Sequence, residues 1–189
     1  MAELPIVQVS DRDAWRWWLE QHHGSFDGVW LRLAKKSSPH QTVAQPEAIE
    51  EALCFGWIDG QARSYDEHFY LQRYTPRRPR SKWSQLNVEK AGRLIAEGRM
   101  HPAGLAQVEA AKADGRWEAA YPAQSQAQVP DDFARELDRH PEAKEFFETL
   151  TGSTRYAFLY RLHNVTKPEA RAKRIAGYID LLSDRKTLG

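Results

Sequence analysis

Two prolines three residues apart, Pro76 and Pro79, constrain this chain more than any other feature. Proline fixes its own φ, lacks an N–H donor and pushes the residue before it out of the helical region. Residues 75–82 can therefore be neither an interior strand nor a regular helix. The break separates two kinds of pattern. Before it, helical spacing is mixed with short alternating runs; after it, apolar residues recur at helical spacing alone. That order predicts an α+β fold: a small antiparallel or mixed sheet with packed helices, followed by a helical C-terminal module.

Ser10 and Asp13 resemble an N-capping arrangement, and Trp15, Trp18, Leu19 and His22 then mark a helix over 11–23 that ends at Gly24. In 27–34, Val29, Leu31 and Leu33 alternate with Trp30, Arg32 and Ala34, which reads as a strand covered on both faces. A polar loop follows at 37–45. Pro46 opens a helix over 46–55 with Ile49, Ala52 and Leu53 on its apolar face, and Gly56 stops it. Residues 57–66 and 69–75 read as two strands of a hairpin, with Gly60 as a bulge or break.

Beyond the prolines, Ser84 caps a helix that buries Leu86, Leu94 and Ile95, and Pro102 starts another with Leu105, Val108 and Ala111. Short helices over 131–139 and 142–150 precede one over 153–163, which groups Tyr156, Leu159, Tyr160 and His163. Thr166 and Glu169 form a capping box for a last helix carrying Ala172, Ile175, Ile179 and Leu182. The small and polar run AAYPAQSQAQV at 119–129 is the best linker. The expected organisation is a mixed domain over 1–118, this linker, and a helical module over 130–189.

Composition narrows the function classes. Seven each of Trp, Tyr and Phe exclude a wholly disordered chain. With Lys+Arg 27 against Asp+Glu 26, the net charge of +1 gives no global field toward nucleic acid or membrane. No apolar run is long enough to span a bilayer, and the start MAELPIVQVSDRDAW lacks the basic start and apolar core of a secretory signal, so the expected location is cytoplasmic. A single cysteine, Cys54, makes neither an internal disulfide nor a thiolate cluster and reads as a buried structural thiol. Histidines and carboxylates show no metal-ligand spacing, and there is no Walker, Rossmann or nucleophile-elbow pattern, so no metal and no cofactor are expected.

The most informative stretch is 73–84, RYTPRRPRSKWS. Arg73, Arg77, Arg78, Arg80 and Lys82 lie there without one acidic residue, on a backbone that the prolines hold extended. Tyr74 and Trp83 add aromatic faces, and Ser84 opens a helix whose first-turn N–H groups favour an anion. The plain alternative is a solvated loop paired with Asp59, Asp66 or Glu67. Beside it, CFGWIDGQ at 54–61 brings Gly56, Trp57 and Asp59 together. Asp59 either orients an arginine or acts as a general base, or it merely closes a turn with Gly60. The candidate ligand-binding residues are Trp57, Asp59, Arg63, Arg73, Arg77, Arg78, Arg80, Trp83, Ser84 and Asn87, with no catalytic residue assigned.

The runs ALCFGWIDGQARS (52–64), LQRYTPRRPRSKWSQLN (71–87) and GRMHPAGL (98–105), with TRYAFLYRLHNVTKPEARAKRIAGYIDLL (154–182), resemble the YdeI/OmpD-associated, OmdA-like family of bacteriocin-protection proteins. The resemblance covers about residues 10 to 185. It implies a small cytosolic bacterial protein with a mixed N-terminal and a helical C-terminal part. It also implies a link to envelope stress or antimicrobial-peptide tolerance, with no settled reaction, substrate or cofactor. The leading expectation is a non-catalytic binder of an anionic small molecule. One alternative is nucleic-acid binding through the 73–84 arginines, with Trp83 or Tyr74 stacking on bases. The other is an enzyme using Asp59 as acid or base.

Overall fold

A computed structural model describes residues 4–188. The chain forms two compact units, one up to Ala120 and one from Tyr121 onward. The first unit runs β1 (Ile6–Val7), α1 (Arg12–His22), β2 (Val29–Ala34), α2 (Gln45–Cys54), β3 (Trp57–Ser64), β4 (Phe69–Pro76), α3 (Gln85–Ala96) and α4 (Pro102–Ala113). The second holds α5 (Asp131–Arg139), α6 (Pro141–Thr149), α7 (Gly152–His163) and α8 (Pro168–Ser183). The fold is α+β.

The strands form one mixed sheet in the order β1-β2-β4-β3, with β1 parallel to β2 and the other neighbours antiparallel. Two residues of β1 are too few for the alternation that marks the other strands, and sequence patterning missed them. Register fixes the faces, because residues directly opposite one another share a side. Val29, Leu31 and Leu33 stand opposite Tyr74, Gln72 and Tyr70. Tyr74 meets the Trp15 ring of α1 at 5.6 Å, so this is the helix-packed face. Trp15, Trp18 and Trp57 build the adjoining core, and the indole N–H groups of Trp15 and Trp57 donate to Ala48 O and His23 O at 3.1 Å. Trp30 and Arg32 point the other way and stay half-buried. The expectation that β2 is covered on both faces is corrected accordingly.

Other expectations shift at the ends of elements. Asp11, rather than Ser10, caps α1 by accepting the Ala14 N–H, while the Ser10 hydroxyl supports the Asp11 carboxylate. Gly56, at φ 74°, follows the end of α2 in the left-handed region that glycine adopts without strain. Gly60 sits where the β3–β4 register slips, between Asp59 and Ala62. Asp59 therefore lies inside β3 and closes no turn. In α3 the buried residues are Ala91 and Leu94, while Leu86 and Ile95 are exposed. In α4, Gly104 takes the buried place expected of Leu105.

The second unit buries Phe133, Leu137, Phe147, Phe158, Leu162 and Ile179 in a core of its own. The buried stripe of α7 is Phe158, Leu159 and Leu162, one step round from the expected tyrosines. Tyr156 instead donates its hydroxyl to Pro122 O at 2.8 Å. No side chain caps α8, whose N-cap is Lys167, so Thr166 and Glu169 make no capping box. Tyr178 joins its buried stripe and Ala172 is exposed. Arg171 grips Asp132, with Nη2 to Oδ1 at 2.9 Å. Among the described residues, no helix is long and apolar enough to cross a membrane.

Candidate functional site

The segment after β4 is held as a braced loop. The Arg77 N–H donates to Gly56 O at 2.9 Å, the Arg77 guanidinium donates to Lys82 O at 3.2 Å, and Arg116 donates to Ser81 O at 2.7 Å. Arg78 and Ser81 close the tip, with the Arg78 N–H on Ser81 Oγ at 3.0 Å. Arg80 sits at that tip, exposed, with φ 68°.

Within this loop the arginines part company. Arg77 is only 5% exposed, and its guanidinium lies 3.7 Å from the centroid of the Trp83 ring. Trp83 packs in turn on Trp117 at 5.0 Å. Arg77 and Trp83 thus fasten the loop to the core. Ser84 accepts the Asn87 N–H at 3.2 Å and caps α3, and both residues are half-buried. Trp57, Trp83 and Tyr74 are all buried, so Trp83 and Tyr74 present no face to a stacking base.

Arg73, Arg77 and Arg78 line one hollow of about 710 Å³, together with Ser25, Asp27 and Thr75. Asp27 is the one carboxylate among its lining residues. Asp59, Trp57, Arg63, Arg80, Trp83, Ser84 and Asn87 do not line it. Asp59 stands opposite Tyr74 on the helix-packed face, whereas Arg73 stands opposite Trp30 on the other. Burial pushes the Asp59 carboxyl above its ordinary pKa, and the positive charges of Lys90 and Arg77 only partly offset it. The expected convergence of the arginines with the Trp-Ile-Asp-Gly segment is therefore partial: Arg73, Arg77 and Arg78 share the hollow, Arg80 does not, and Asp59 feels only the Arg77 charge among them.

Pairing sorts the arginines further. Arg12, Arg16, Arg93 and Arg99 are committed to Glu50 and Glu51 at the junction of α1, α2 and α3. That network went unread in the sequence, although the Glu50-Glu51 doublet on the apolar helix α2 was its signal. Arg32, Arg63, Arg73 and Arg78 have no ion pair among the described residues. The solvated-loop alternative, with Asp66 or Glu67 as partners, finds no such pair either. Cys54 is buried, and desolvation with the Glu51 charge raises its pKa, which suits a structural thiol. No group of three or more His, Cys, Asp or Glu among the described residues is placed to hold a metal.

Residues 7–107, more than half of the chain, match the family described as Domain of unknown function (DUF8412). The chain belongs to this family. Residues 126–185 match the family described as Bacteriocin-protection, YdeI or OmpD-Associated, so the resemblance carried by 154–182 stands. The runs at 52–64, 71–87 and 98–105, which contributed to the same resemblance, fall inside the DUF8412 match. The candidate hollow therefore belongs to the DUF8412 part. No curated protein and no solved structure matches the chain.

Proposed function

We propose that this DUF8412 member is a non-catalytic binding protein whose ligand carries phosphate or carboxylate groups. One observation supports the reading above all: among the described residues Arg73 and Arg78 have no ion pair, and they line the same hollow. An unpaired guanidinium offers up to five donors in a planar fork that matches such oxyanions. The Thr75 hydroxyl adds a neutral donor, whereas the Ser25 hydroxyl already donates to His22 O, and Asp27 sets a repulsive limit on where the anion sits. The braced backbone of 77–82 lowers the ordering cost of binding. The family description of the C-terminal part, bacteriocin protection, supports a role in tolerance of antimicrobial peptides. Asp59 supports no acid–base reaction with this ligand, because it faces the opposite side of the sheet.

Calorimetric titration with inorganic pyrophosphate at low ionic strength tests the proposal. Binding that weakens about tenfold or more in Arg78→Ala, and again in Arg73→Ala, is the expected result, since each removes a charged hydrogen-bond donor. Equal affinity in both variants, or heat no different from buffer dilution, overturns it.

A further inference from the structure

The sheet face away from α1 and α2 carries a second arrangement that this hollow does not account for. Trp30 stands opposite Arg73, and Arg32 stands opposite Leu71, which stands opposite Arg63. The Arg63 guanidinium lies 4.4 Å from the Trp30 ring centroid. Arg32 lies 4.0 Å from that of Phe69 and 5.6 Å from that of Tyr65. Cation and ring alternate across three strands, and Tyr65 at the end of β3 is 47% exposed.

The strands themselves bring no acid to this face. Asp59 is the sole carboxylate in the sequences of β2, β3 and β4, and it points to the helix side. Like charges on neighbouring strands repel. Among the described residues, Arg32, Arg63 and Arg73 share a face without an ion pair, and the Nε atoms of Arg32 and Arg73 are buried without a hydrogen-bond partner. Asp66, in the β3–β4 turn, feels the Arg32 charge and offsets these cations only in part, which leaves Arg63 and Arg73 open to a counter-charge from outside the chain. A single small anion is too short for the task. Arg32 and Arg63 start from strands that flank β4, roughly 10 Å apart at the usual strand spacing, so a repeating anion fits better. The interleaved rings add a requirement for flat partners, which acidic peptides rarely supply and nucleobases always do.

We infer that the Trp30–Arg32–Arg63–Tyr65–Arg73 face binds single-stranded nucleic acid. Its phosphates run along the three arginines, and its bases stack on Tyr65 and on the Arg63 guanidinium plane already seated on Trp30. The site shares Arg73 with the hollow and is otherwise separate from it. A duplex is the poorer fit, since its bases are stacked on one another and the sheet offers no helix or ribbon to enter a groove.

Fluorescence anisotropy of the full chain with a labelled single-stranded oligothymidylate tests this. Binding should weaken with salt, with a slope of about −0.7 per phosphate contact, and Arg63→Ala should flatten the slope by about that amount. Tyr65→Ala should weaken binding about tenfold and erase the preference for oligothymidylate over an abasic strand of equal charge. Both positions are exposed, and unchanged thermal unfolding of the variants shows that any loss is not a folding defect. No binding, or equal binding of the abasic strand and the duplex by the native chain, overturns the inference. So does a salt slope that Arg63→Ala leaves unchanged. Arg78→Ala lies outside this face: loss of pyrophosphate binding there with oligonucleotide binding intact separates the two sites, and the inference stands if the hollow binds nothing at all.

Discussion

Gly104 of α4 presses its Cα against the end of α2, so that a β-carbon on it would lie 2.2 Å from the Cys54 carbonyl oxygen. The same carbonyl accepts the His101 N–H at 3.0 Å. A glycine inside a helix normally weakens it, and here its missing side chain permits the close approach. This contact docks α4 onto the helix that leads into Gly56 and β3.

Gly104→Ala should therefore destabilise the protein by about 2 kcal/mol or more, since neither backbone can give way and overpacking outweighs the better helix propensity of alanine. Gly92→Ala in α3, where a β-carbon meets nothing within 4 Å, should instead stabilise by roughly 0.5–1 kcal/mol. Urea unfolding midpoints of the pair decide it; equal shifts would mean that the α4 contact is not tight.

Glu51 is 1% exposed and receives Arg12, Arg16 and Arg99. Burial alone raises its carboxyl, but hydrogen bonds from those arginines outweigh burial and hold it below its ordinary value of 4.5. A carboxyl depressed in the folded state stabilises fully above its unfolded value, and the contribution is lost as pH falls through the folded value. Stability should thus drop below about pH 4.5, and Glu51→Gln should shrink that acid-side drop. Glu51→Ala should cost about 2 kcal/mol at neutral pH, because Arg12, Arg16 and Arg99 each lose a charged acceptor while keeping Glu50, Glu20 or Glu97. Thermal unfolding from pH 3 to 7 measures both.

Among the described residues the buried Tyr74 hydroxyl has no hydrogen-bond partner, and its pKa is pushed well up by burial and then by the Asp59 charge. Removing an unsatisfied polar atom relieves a desolvation cost of about 1–3 kcal/mol. Tyr74→Phe should leave the protein as stable as before or more so. A clear fall in the unfolding midpoint would reveal a partner for this oxygen.

Arg77 and Arg78 are neighbours with opposite expectations. Arg77→Ala removes a desolvated cation–π contact with Trp83 and the donor to Lys82 O, and should cost about 2 kcal/mol of stability. Arg78→Ala, on an exposed side chain, should change stability by less than about 0.5 kcal/mol. Comparing their melting temperatures shows which arginine serves the fold, and loss of stability in Arg78→Ala alone would reverse the assignment.

Strong local signals made most of the elements legible. The Pro76–Pro79 break, the alternation in β2, the apolar spacing of α1 and α2 and the Gly60 irregularity were all written within a few residues of where they act. The misreadings share a cause. Leu86, Ile95 and Leu105 are at least as apolar as the residues that replace them in the core, and only the placement of a neighbouring helix selects Ala91 and Gly104 instead, beside the expected Leu94. In the candidate site, the arginines of 73–84 were visible as a run. Their division into Arg77 inside, Arg73 and Arg78 at the hollow and Arg80 at the tip was not, because the run twists through a strand end and a turn.

By itself, the sequence determined where backbone hydrogen bonding changes type, since proline, glycine and apolar period act on the chain locally. It also separated the β2 side chains into two sets, because successive residues of a strand point to opposite faces. Which set is covered lay beyond its reach. Helices from residues 12–22 and 45–54 pack on Val29, Leu31 and Leu33, and that choice leaves Trp30 and Arg32 with Arg63 and Arg73 on a face to which the strands bring no carboxylate. Burial is a property of remote segments brought together, so only the tertiary structure could decide it.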